Sequence, residues 1–299
     1  MPPVRGMERG FTIMTELYDF FIFPFVEFLF LKRALVACWA LALGCGPVGI
    51  LLVLRRMTLM GDALSHAILP GAAIGFFFAG LSLPLMSLGG FIAGIFVALM
   101  GGAMSRMTIL NEDASFAGFY LISLAMGVLI VSLHGSQVDL MHVLFGSILA
   151  VDTLSLYMVI LIAMCTVVTI AVIYRPLIIE CFDPGFLRSV GGAGGLYHGI
   201  FLGLVTMNLV SAFQALGTLM ALGMMILPAI SARLWARHVW SLFITAILIA
   251  MSGGYIGLLL SYHLNWPSGP AIVMVVGIIY VFSLIFGQGG SLKRRKGYT

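Results

Sequence analysis

Two side chains able to bind a cation or carry a proton stand four residues apart inside an apolar run. They are Asp62 and His66, within Met57-Thr-Leu-Met-Gly61-Asp62-Ala-Leu-Ser65-His66-Ala-Ile-Leu-Pro70-Gly71. On a helix this spacing puts both on one face, with Pro70 a further turn along. A carboxylate and a neutral imidazole are oxygen and nitrogen ligands suited to first-row divalent ions such as manganese, zinc and iron(II). The same two groups can instead form an internal hydrogen bond or a proton relay, and their types alone leave all three readings open. Pro70 has no amide hydrogen, so the His66 carbonyl loses its usual donor and the helix is expected to break or kink there. Ser65 adds a hydroxyl beside the pair.

The rest of the chain says what kind of scaffold holds them. Of 299 residues 62% are apolar and 9% charged, with a mean hydropathy of +1.15, whereas soluble domains carry about 25% charged residues. This is the composition of a polytopic membrane protein, and no polar stretch is long enough for a second, soluble domain. Apolar runs of spanning length, about 20 residues, fall at 33–54, 58–80, 84–104, 115–134, 153–174, 195–213, 215–235, 240–262 and 269–288. The expected fold is an all-α membrane helical bundle of about nine transmembrane helices. Residues 138–150 are too short to cross and read as a re-entrant or surface helix; merged with the next span, they reduce the count to eight. Residues 1–32 form a tail and an interfacial amphipathic segment, because Glu16, Asp19, Pro24 and Glu27 interrupt their apolar run and no signal-cleavage pattern follows. Residues 33–288 make the transmembrane domain, and 289–299 a basic tail.

Charge sets the orientation. With the C-terminus inside, the inner face receives Arg55, Arg56, Arg106, Arg175, Arg188, Arg233, Arg237 and the tail cluster Lys293-Arg294-Arg295-Lys296, leaving Arg5, Arg9, Lys32 and Arg33 outside. That asymmetry supports N-out and C-in, and it accounts for the net charge of +4 by membrane anchoring, with no nucleic acid involved. Counting from Arg56 at about 1.5 Å per residue, Asp62 lies roughly 9 Å and His66 roughly 15 Å into the membrane, the latter near the midplane. The longest inside connection is 175–194. There Asp183 and Pro184 fit a helix start, as N-cap and first helical residue, and Gly191, Gly192, Gly194 and Gly195 fit its end.

Other features carry less chemistry. The cysteines, Cys38, Cys45, Cys165 and Cys181, lack CxxC spacing and read as packing residues. His134, His198 and His263 fall near span ends, His238 in a connection and His142 in the short helix, where solvation at the interface is the default. His134 and His142 are secondary candidates for handing metal inward. Glycine pairs such as Gly71 with Gly75 and Gly90 with Gly94 read as close helix contacts. Pro228 frees the Met224 carbonyl and is expected to loosen a second helix, as a static kink or a gate. No G-x-x-x-x-G-K-[ST] and no H-E-x-x-H occurs, which excludes P-loop nucleotide hydrolysis and this type of zinc protease. No internal repeat is visible either, which weakens the alternative of a proton-coupled secondary metal transporter built on inverted repeats.

The run from Leu54 to Gly71 closely resembles the signature of the permease subunits of bacterial ABC importers for zinc, manganese and iron. Leu144-Phe-Gly146-Ser-Ile-Leu149, Phe182-Asp183-Pro184 and Pro267-Ser-Gly269-Pro270-Ala-Ile-Val are similar to further stretches of that family. The resemblance implies a homodimeric permease in the bacterial cytoplasmic membrane, driven by a separate cytoplasmic ATPase dimer and fed by an extracytoplasmic metal-binding protein. It implies no permanently bound cofactor, with ATP on the partner subunit. It also implies metal contact by Asp62 and His66, and a coupling helix in the 175–194 loop. On that helix Asp183, Pro184, Phe186 and Leu187 would make the contact with the ATPase, with Val190 beside them.

Overall fold

The computed structural model describes residues 18–288, apart from 19, 80–81, 110–111, 134–152 and 190. Among the described residues every regular element is a helix, as a chain in lipid requires unless it closes a barrel. A short α1 (Phe23–Glu27) leads into α2 (Leu29–Leu54), α3 (Thr58–Ala79), α4 (Leu83–Met107) and α5 (Glu112–Leu133). Beyond the undescribed stretch come α6 (Thr153–Val172), α7 (Tyr174–Phe182), α8 (Pro184–Ser189), α9 (Gly194–Leu216), α10 (Thr218–Trp235), α11 (Val239–Leu264) and α12 (Ser268–Phe286). Six of these, α2, α4, α6, α9, α11 and α12, are long and apolar enough among the described residues to cross a membrane. The short helix expected at 138–150, together with His134, His142, Val190 and the basic tail, lies outside the described residues.

Two packing groups share one bundle. In the first, α3 lies against α4 and α5; in the second, α2 sits among α6, α9, α10 and α11, with α12 closing on α10 and α11. Helix α9 joins the groups, because it touches α2, α3, α4, α6 and α10. Inside the second group Asn208 of α9 donates to the Thr166 hydroxyl of α6 and to the Leu204 carbonyl, each at 2.8 Å. An amide in hydrocarbon must be satisfied in this way, and here it ties two helices whose apolar surfaces alone gain little from leaving lipid. The N-terminal segment is pinned at the far end of α11. Tyr255 donates to the Phe21 carbonyl at 2.8 Å, and Phe20 stacks on His263 with centroids 4.2 Å apart.

Backbone proximity holds the first group together. A Cβ at Gly71 would fall on the Gly89 carbonyl oxygen, and one at Gly89 on that of Gly71, so the glycine spacing does mark the α3–α4 seam. Gly71→Ala should therefore push α3 off α4 and destabilise the protein by about 1–3 kcal/mol. Gly118→Ala on α5, where an added Cβ meets nothing within 4 Å, is the control. Thermal unfolding of the two variants in detergent checks this: the Gly71 variant should melt lower and the Gly118 variant at or above the parent.

Pro70 and Pro228 each lie inside a helix that continues past them. Helix α3 runs on to Ala79 and α10 to Trp235, each with its proline inside, as does α2 with Pro47. All three prolines are buried within the bundle. Beside Pro70, Ser123 of α5 donates to the Ala67 carbonyl at 3.3 Å, one residue on from the His66 carbonyl that the proline leaves without its usual donor.

Candidate functional site

Helix α3 is two-faced. Met60, Leu64, Ala67 and Ile68 are fully enclosed, while Leu59, Asp62 and Ile74 stand on the open side. His66 lies at the boundary, its side chain 32% exposed against 55% for Asp62. The one-face expectation holds: His66 Nε2 is 3.7 Å from Asp62 Oδ1. That separation is beyond a good hydrogen bond, so the two groups converge without consuming each other's lone pairs. Ser65 turns away and donates to the Asp62 carbonyl at 2.8 Å.

The imidazole is oriented by its neighbours. Tyr120 of α5 lies nearly parallel to it, with centroids 6.0 Å apart and 29° between planes. His66 Nδ1 is enclosed and has no hydrogen-bond partner among the described residues. Nε2 is thus the nitrogen on the Asp62 side, and the pair offers one nitrogen and one carboxylate. Among the described residues no third histidine, cysteine, aspartate or glutamate joins them. A carboxylate facing lipid costs up to about 3 kcal/mol, the figure for the centre of a span, and less towards its ends, where Asp62 sits on α3. A polar path or a second protein surface against the open face of α3 would remove that cost.

A turn of specific geometry places this helix. Helix α2 ends in a Schellman motif, with Met57 N–H on the Leu52 carbonyl at 3.0 Å and Arg56 N–H on that of Val53 at 3.2 Å. Arg56 occupies the left-handed position with φ of 59°, where a non-glycine residue costs about 1 kcal/mol. Met57 and Leu52 supply the buried apolar contact that goes with the motif.

The 175–194 segment is built as its residues indicate, except that Leu187 turns inward and that Gly194 and Gly195, expected to end the short helix, instead open α9. Asp183 Oδ1 accepts from Phe186 N–H at 2.9 Å, which caps α8, and Pro184 is its first residue. Gly191 takes φ of 78° and Gly192 N–H returns to the Leu187 carbonyl at 2.8 Å, turning the chain towards α9. Phe186 is exposed, as expected. Leu187 is buried, because Gly192 brings the chain back against it, so it is not free for a partner. Phe182, at the end of α7, is the other large apolar side chain left open here.

One cluster escaped the sequence reading. Arg55, at the end of α2, is enclosed, with side-chain exposure of 7%. Its Nη1 lies 2.7 Å from His198 Nδ1 of α9, its Nε donates to Cys181 Sγ at 3.3 Å, and its Nη2 is 3.9 Å from Glu180 Oε1 of α7. The guanidinium also sits 4.5 Å from the Phe201 ring centre. Arginine has only donors, so His198 Nδ1 accepts and the imidazole proton is on Nε2. Burial pushes the Cys181 thiol up, against the pull of Arg55. His198 and Cys181 are thus bound into a polar junction, where solvation and packing had been expected. The legible signal was Glu180, a lone carboxylate in Leu177-Ile-Ile-Glu180-Cys181-Phe. The remaining cysteines are free thiols, with Cys38 and Cys45 buried and Cys165 exposed.

The chain resembles known proteins along nearly its whole length. The chain is 32% identical to the "Manganese import system permease protein ScaB" of Streptococcus parasanguinis, covering 92% of this chain and 96% of that one. It is 30% identical to the "Chelated iron transport system membrane protein YfeD" of Yersinia pestis, covering 95% and 94%. Among solved structures, PsaBC from Streptococcus pneumoniae in complex with Fab superimposes with a TM-score of 0.80 at 28% identity, over 93% of this chain and 98% of that one. The six long apolar helices and this kinship make the chain a multi-pass membrane protein. Matched by the family model across residues 27–287, from α1 to the end of α12, it belongs to the ABC 3 transport family.

Proposed function

We propose that this chain is the permease of an ATP-driven importer of divalent transition-metal ions, manganese, zinc or iron. The observation that carries the reading is the Asp62–His66 pair, aimed out of the open face of α3 in a chain whose relatives are named as manganese and iron permeases. Two ligands do not make a stable metal site. A two-fold dimer with α3 at its axis doubles them to two aspartates and two histidines, and two carboxylates balance a 2+ ion. The same arrangement removes Asp62 from lipid. In this reading the nine long helices α2–α6 and α9–α12 all cross the membrane, residues 33–288 form one transmembrane domain, and the Arg55 end is cytoplasmic. ATP is hydrolysed by a separate cytoplasmic ATPase dimer that docks at α8, and an extracytoplasmic binding protein delivers the metal.

Metal uptake into proteoliposomes holding the permease and its ATPase tests the proposal against proton coupling. Uptake should need ATP hydrolysis and survive a protonophore. Collapse of uptake with the proton gradient, at constant ATP, would mark a secondary transporter instead. Cellular manganese, zinc and iron with and without the permease gene then identify the cargo.

A further inference from the structure

The Arg55 junction is used neither by the ligand pair nor by the docking helix. Three elements meet on one side chain. Arg55 ends α2 and stands three residues before α3, which carries Asp62 and His66. Its guanidinium touches Glu180 and Cys181 of α7, the segment that ends at Asp183, the cap of α8. It also touches His198 and Phe201 near the start of α9, the helix that joins the two packing groups. No carboxylate occurs after Asp183, so Glu180 is the acidic partner that α7 offers to this buried cation. A buried ion pair adds little stability over apolar residues of the same volume, so stability alone does not account for its presence here.

We propose that Arg55 is a positioning residue for transport, which passes displacement of the α7–α8 elbow to the α2–α3 turn and so to the Asp62–His66 pair. This rests on the reading that an ATPase docks at α8. The physical requirement is a contact that moves as a unit, and the arginine fork provides one. Its planar donors hold α7 and α9 at fixed angles, which a lysine ammonium cannot do at once. The charge holds Glu180 to the root of α3 whichever way the elbow swings. Arg56, held in the left-handed conformation next to it, leaves the turn little freedom to absorb the movement.

The test uses the whole importer, permease with its ATPase in proteoliposomes, with the metal-loaded binding protein outside. Metal transported per ATP hydrolysed is measured for Arg55→Lys, Arg55→Gln, Glu180→Gln and the apolar double variant Arg55→Met/Glu180→Leu. The double variant removes both charges and guards against a chain that fails only because one buried charge is unpaired. Expected are normal ATPase content and basal hydrolysis in all four. Metal per ATP should fall about tenfold in Arg55→Gln, Glu180→Gln and the double variant, within the usual range of site-to-site coupling, and less in Arg55→Lys. An unchanged ratio in the double variant overturns the proposal, because coupling then needs no ion pair. Equal loss of transport and basal hydrolysis, or loss of the ATPase from the complex, overturns it as well, by reducing Arg55 to a structural role. Failure of the docking reading shows separately, in α8 variants that keep both the ATPase and transport.

Discussion

Asp62→Asn and His66→Ala should each stop metal uptake while the protein still inserts and assembles. Asparagine preserves volume and an acceptor oxygen but removes the charge that balances the cation. Alanine removes the only ring nitrogen near Asp62 among the described residues. Changes in residues that merely orient a metal ligand cost about 10- to 100-fold in affinity, so losing a direct ligand should cost at least about 100-fold. Folding should be spared, because Asp62 is open to the surface and the two groups are too far apart to form a strong mutual bond. Radiolabelled metal uptake at limiting concentration, beside size-exclusion chromatography of the purified variants, reads both halves of the prediction. Normal uptake by both variants would sink the site. Loss of uptake together with loss of the dimer would instead assign the pair to assembly.

Much of this architecture is legible in the sequence, for local reasons. An i,i+4 Asp–His pair must share a helix face, and Asp-Pro followed by glycines must start and stop a short helix, because both follow from backbone geometry within a few residues. The Gly71–Gly89 seam is legible in part: the glycines announce a close contact, but not with which helix. What the sequence hides is long-range. Arg55 finds Cys181 and His198 at separations of 126 and 143 residues, and no local pattern pairs them. His198, near a span end, looked like an interfacial side chain because its only visible context was its own helix. Leu187 was misjudged for a related reason. On a six-residue helix either face can turn inward, and the choice is made where Gly192 doubles back.

Docking at α8 carries the second large effect. With Leu187 turned inward, the surface of an ATPase docked as proposed would meet the exposed rings of Phe182 and Phe186, one on either side of the Asp183 cap. Large aromatic anchors of this kind are each worth about 2 kcal/mol or more when truncated, and an aspartate adds an unpaired charge to an apolar contact. Phe182→Asp with Phe186→Asp should therefore weaken ATPase binding by about two to three orders of magnitude and abolish transport. The Asp62–His66 pair lies on α3, away from these rings, so any metal affinity it has should be kept, which equilibrium metal binding to the purified permease can read. Leu187→Asp is no substitute for this test, because it would place a charge against Gly192 and unfold the elbow itself. Asp183→Ala makes a graded companion: it leaves both rings in place but removes the cap, at about 1 kcal/mol, and should loosen the ATPase without releasing it. The quantity to follow is the amount of ATPase that co-purifies with each variant, beside uptake in the same preparation. Wild-type amounts of ATPase on the double variant, with import retained, would place the coupling contact elsewhere on the cytoplasmic face.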